Sequence, residues 1–134
     1  MRGKLILAIV GLAFIAALTM AGINHHKRVA METKCVQQMA MLWEMARSHV
    51  VEAGLSVDTA ISQADLWQYM GGQFSTNMRC PLGPSVYSPF TFRNGPQCPY
   101  SEAHNQALAK ISAQPAYKMY KMIVEREDRE RKTR

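Results

Sequence analysis

The nineteen residues from Leu5 to Ile23, LILAIVGLAFIAALTMAGI, contain no charge, and no other feature constrains the chain as much. A helix needs about 18–20 apolar residues to cross a hydrocarbon core about 30 Å thick. The sequence therefore predicts a transmembrane helix over 5–23, preceded by a short basic leader at 1–4. A cleaved secretory signal is the competing interpretation. The run exceeds the usual h-region of about 7–15 residues, and AGINHHKRVA offers no clean small-x-small cleavage site. A retained anchor is expected. Arg2 and Lys4 on one side face Lys27 and Arg28 on the other, so charge bias does not set its orientation.

The helical pattern continues past the anchor. No proline or glycine occurs from Asn24 to Ala53, and Gly54 then supplies a stop. Within that span Cys35, Met39, Leu42, Ala46, Val50 and Ala53 recur at spacings of three and four. They form one apolar stripe, which Val36 and Trp43 widen. The expectation is one continuous helix from Leu5 to Ala53, apolar all round over 5–23 and amphipathic over 24–53. Its Cys35, Met39, Leu42 and Ala46 would face a head domain or a partner.

About 110 residues remain beyond the anchor, enough for one small core that would gain from a covalent staple. Gly54 to Ser62 reads as a loop. Ser62 and Asp65 make a capping box for a short helix carrying Leu66, Trp67, Tyr69 and Met70, which Gly71-Gly72 ends. Between Cys80 and His104 lie five of the six prolines and two of the three cysteines. Val86, Tyr87, Phe90, Thr91 and Phe92 favour strands, and Asn94-Gly95 is a hairpin cue. Two short strands about that turn are expected. From Ser101 the pattern is helical again with a break at Pro115, and the mixed-charge end EREDRERKTR reads as solvated or frayed. The organisation is thus a head at 54–107 and a C-terminal helix with a charged tail at 108–134.

The chemistry rests on three cysteines and four histidines. A zinc site ordinarily shows close ligand pairs such as C-x2-C, whereas Cys80 and Cys98 are far apart and His104 stands alone. The expected arrangement is a Cys80–Cys98 disulfide across the turn, worth roughly 3 kcal/mol by loop entropy, with Cys35 a small buried residue. The alternative is a four-ligand set of Cys35, Cys80, Cys98 and His104. His25 and His26 read as solvated residues, and His49 as a partly buried core residue. No nucleophile motif, metalloprotease motif or phosphate loop is present, so no catalytic residue, metal or cofactor is expected and the chain does not read as an enzyme. The net charge of +6 comes from dispersed or terminal basic residues with no aromatic-basic motif, which argues against nucleic-acid binding.

A basic leader, an immediate apolar segment, a helix running beyond it and a small head resemble the type IV pilins and type II secretion pseudopilins. The stretches KCVQQMAMLWEMARSHVVEAG, ADLWQYMGG and CPLGPSVYSPFTFRNGPQCPYSEAH are similar to a cysteine-containing pilin-like head. The positions that carry this likeness are Cys35, Asp65 with Leu66 and Tyr69, Cys80-Pro81 with Gly83, Tyr87, Cys98 and His104. The resemblance implies leader cleavage between Gly3 and Lys4. Ala8 stands where that family carries a glutamate. It also implies a non-catalytic structural or accessory subunit of a secretion or pilus assembly, in a bacterial inner membrane, single-pass, with its head in the periplasm or outside. Small residues such as Ala8 and Gly11, with the stripe behind them, would pack against other pilin-like or membrane-complex subunits to form an oligomer. The expected fold class is α+β: a long membrane-to-extramembrane helix, a small head with a disulfide-closed β-hairpin, and a C-terminal helix. Other interpretations are an accessory subunit of an unrelated membrane complex and a membrane-anchored protein that handles thiols or metals.

Overall fold

The computed structural model describes the backbone of residues 2–73 and 77–133, and the side chains of these from residue 11 onward except residue 116. Helix α1, Arg2–Ala53, is 52 residues long, about 78 Å at 1.5 Å per residue. It ends as the sequence indicates. Gly54 takes φ +63°, and the Leu55 N–H donates to Val50 O at 3.0 Å, the six-to-one bond of a glycine-terminated helix. The expected anchor has residues 5–10 outside the described side chains. Among the described residues no helix is long and apolar enough to cross a membrane. The leader positions Gly3 and Lys4 and the packing position Ala8 lie outside the described side chains as well.

The head is built on the C-terminal half of α1. Cys35, Val36, Met39, Leu42, Ala46 and Val50 are buried there, while Ala53 is exposed because the chain turns away at Gly54. Strand β1, Ala60–Ile61, leads into helix α2, Gln63–Tyr69. Both halves of the capping box form: Ser62 Oγ accepts from the Asp65 N–H, and Asp65 Oδ2 accepts from the Ser62 N–H at 2.7 Å. Strand β2, Phe90–Thr91, pairs antiparallel with β1, Ala60 opposite Thr91 and Ile61 opposite Phe90. Helix α3, Glu102–Ser112, a 3-10 turn at Pro115–Tyr117 and helix α4, Lys118–Lys132, complete the chain. It is mostly helical with a two-stranded sheet.

Three expectations change. The strands do not form a hairpin about Asn94-Gly95. The turn itself is present, with both N–H groups donating to Thr91 O, but Pro96 follows it and has no N–H to continue a ladder. The turn packs on α1 instead: a Cβ at Gly95, φ +68°, would sit 3.0 Å from the Trp43 ring, and Trp43 Nε1 donates to Phe92 O at 2.8 Å. The partner of β2 comes from the segment read as a loop. Secondly, the head is not closed by a disulfide, since Cys35, Cys80 and Cys98 are all free. Thirdly, the charged tail is neither frayed nor merely solvated. Tyr120 of α4 is buried against Trp43 and Phe92, at ring distances of 5.1 and 5.3 Å. Beyond it Arg93 bridges Asp58 and Asp128, and Arg131 reaches Asp58 and Glu127.

Candidate metal centre

Helix α1, two loops of the head and helix α3 each contribute one side chain to a single buried point. Cys35 comes from the first turn of α1 that the head covers. Cys80 comes from a turn closed by the Gly83 N–H donating to Cys80 O at 3.2 Å. Gly83 there lies so close to the Tyr100 ring that a Cβ would stand 2.3 Å from it. Cys98 lies in the loop before α3, and His104 in the first turn of α3. One sulfur or ring-nitrogen atom from each of the four falls within 4.8 Å of the others. All four residues are buried, Cys35 and Cys80 completely.

The surrounding hydrogen bonds position these groups. The Gln63 amide acts as a surrogate strand: its Nε2 donates to Met78 O at 2.9 Å and its Oε1 accepts from the Met78 N–H at 2.8 Å. That fixes the backbone two residues before Cys80. Asn105 does the same for the second loop, where its Oδ1 accepts from the Cys98 N–H at 2.6 Å and its Nδ2 donates to Cys98 O at 3.4 Å. The Tyr87 hydroxyl lies 3.1 Å from Cys35 Sγ, with Gln38 Oε1 at 3.3 Å. His104 Nδ1 faces both Cys80 Sγ at 3.6 Å and Cys98 Sγ at 3.5 Å.

Burial pushes the Cys35 thiol up to about 12, more than the Tyr87 hydroxyl bond lowers it. Burial also raises Cys80, opposed by a hydrogen bond from the Leu82 backbone. Tyr87 is raised, first by burial and then by Cys35. A thiol held protonated and shut off from solvent is a poor nucleophile. With three sulfurs and one ring nitrogen converging, the arrangement can instead ligate a single cation, which would displace the thiol protons.

The pairing expected of Cys80 and Cys98 is therefore replaced by convergence of both on Cys35 and His104, the alternative set legible in the residue types. Sequence spacing hid it because each ligand comes from a different segment. Tyr87 stands among the positions that carry the pilin-like resemblance, but no local pattern marks it, Gln63 or Asn105 as a positioning group. The stripe residues Met39, Leu42 and Ala46 are core. A Cβ at Gly11 would meet nothing within 4 Å. His25 and His26 are exposed, and His49 is half-buried beside Tyr69 at 4.7 Å. Compared with known protein families, curated proteins and solved structures, the chain matches none.

Proposed function

We propose that this chain is a non-catalytic structural subunit that holds a small head at a bacterial inner membrane through α1 and joins pilin-like partners through that helix. One observation carries the reading. The N-terminal half of α1 is continuous with the head yet displays bare apolar side chains, with Leu12, Phe14 and Met20 each about two-thirds exposed. Exposed apolar area on this scale calls for lipid or for other helices, at about 25 cal/mol per Å² removed from water. The uncharged run of 5–23 and the small residues Gly11, Ala13, Ala16, Ala17, Ala21 and Gly22 suit both, since helices in lipid associate through close backbone approach.

The cysteines, all buried within the head, support a structural rather than a catalytic role for it. Membrane fractionation of cells expressing the full chain, with and without a prepilin peptidase, tests the reading. The expected result is a membrane-bound chain that begins at Lys4 only when the peptidase is present. A membrane-bound chain never trimmed at Gly3 would favour the unrelated-complex alternative. A chain that stays out of the membrane fraction would contradict both.

A further inference from the structure

We propose that Cys35, Cys80, Cys98 and His104 bind one zinc ion through three thiolates and the His104 Nδ1 atom, clamping the head to α1. A tetrahedral zinc site has bonds of about 2.3 Å to sulfur and about 2.0–2.1 Å to nitrogen, which places S···N edges at about 3.5–3.6 Å and S···S edges at about 3.8 Å. The two S···Nδ1 separations, 3.6 and 3.5 Å, already have that length, and all four ligand atoms fall within 4.8 Å.

Hydrogen bonding alone does not account for the cluster. A neutral Nδ1 has one lone pair and accepts from one thiol, yet two sulfurs converge on it. A disulfide would use two of the three sulfurs and leave the third beside them. A four-coordinate metal uses every group present. The donor set of sulfur and imidazole nitrogen selects zinc over hard cations. Four protein ligands also fill the coordination sphere, the mark of a structural rather than a catalytic zinc.

The shell around the ligands suits the charge that would form. Zinc replaces three thiol protons, which pass to solvent, and the resulting centre carries one net negative charge. Tyr87 O–H is placed to donate to Cys35 Sγ and the Leu82 N–H to Cys80, the second tier of donors that such ligands need. Lys34 and Arg79 line a surface depression that reaches Cys80, adding positive potential beside it. The clamp would tie α1, the 80 loop, the 98 loop and α3 at one point, which a head this small cannot readily do with apolar burial alone.

The test is elemental analysis and X-ray absorption of the full chain, purified in detergent under reducing, chelator-free conditions. One zinc per chain with three sulfur and one nitrogen scatterers is expected, and cobalt substitution should give the intense visible bands of a tetrahedral thiolate site. Cys80→Ser should lose the metal. Because that variant could also unfold, His104→Cys provides a second check: it should keep one zinc while shifting the cobalt bands toward those of an all-sulfur site. Three thiols that titrate freely after zinc is offered, a Cys80–Cys98 disulfide in peptide maps of protein from the cell envelope, iron or copper in place of zinc, or a cobalt spectrum unchanged by His104→Cys would each overturn the proposal.

Discussion

The two halves of α1 share one backbone and almost nothing else. From Cys35 to Val50 the helix buries a stripe that the whole head is built on. From Gly11 to Lys34 nearly every side chain is exposed, and those from Leu12 to Ile23 are largely apolar. Every ion pair among the described residues lies at Glu44 or beyond. The difference teaches that helicity and packing are separate demands. Backbone hydrogen bonds run the length of α1, but only its second half is tied down by tertiary contacts, which supply most helical stability in proteins. The first half awaits another environment.

Charge substitutions break this comparison most sharply. Leu42 is fully buried, and replacing it with alanine should cost about 2–5 kcal/mol. Leu42→Asp adds an unpaired buried charge and should abolish cooperative unfolding of the head, as followed by near-ultraviolet circular dichroism. Leu18 is more than half exposed. Leu18→Asp should leave the head's denaturation midpoint unchanged while weakening attachment to lipid vesicles. A loss of head stability in Leu18→Asp would mean that the two halves are coupled.

Glycine substitutions sharpen the same contrast at smaller scale. Gly95→Ala places a Cβ against Trp43 at a positive φ, and the left-handed conformation alone costs about 1–2 kcal/mol. Gly11→Ala meets nothing and should at most strengthen α1, by about 0.8–1.0 kcal/mol of helix propensity. Urea midpoints of the head should fall for the first and not for the second. A smaller effect is expected of Tyr87→Phe, which removes the hydroxyl beside Cys35 and should cost about 1 kcal/mol in the same measurement.

The contrast also marks where sequence reasoning succeeds. The α1 stripe, its stop at Gly54, the Ser62–Asp65 box and the break at Pro115 are local signals, decided by spacing and by residues with one strong backbone preference. The failures are long-range. Asn94-Gly95 makes its turn, but Trp43, about fifty residues earlier, decides where the turn packs. Cys80 and Cys98 look like partners only until Cys35 and His104 are brought beside them. The run EREDRERKTR has no apolar residue, and its fate depends on Arg93, Asp58 and Ser56, which accept it as a docking strip. Periodicity registers none of these pairings.

The docked tail predicts a pH dependence confined to the head, the smallest of these effects. Arg93 hydrogen bonds hold the Asp58 and Asp128 carboxyls below their ordinary values. For Glu127, burial alone would raise the carboxyl, but bonds from the Val57 N–H, Ser56 and Arg131 outweigh it and lower it. The folded state therefore binds fewer protons than the unfolded chain in this range. The contribution is complete above the unfolded carboxylate values, about 3.9 for Asp and 4.3 for Glu, and is lost as pH falls through the lower folded ones. The head's melting midpoint should decline on acidification across that window. The decline should be shallower in Arg93→Gln and in high salt, which screens exposed pairs.

Amide hydrogen exchange of the full chain, compared with and without phospholipid vesicles, tests the division of α1 most directly. Residues 35–50 should be strongly protected in both conditions, because the head covers them, whereas residues 11–23 should exchange quickly without lipid and become protected with it. Equal protection of the two halves without lipid, or no gain over 11–23 when vesicles are added, would contradict the account.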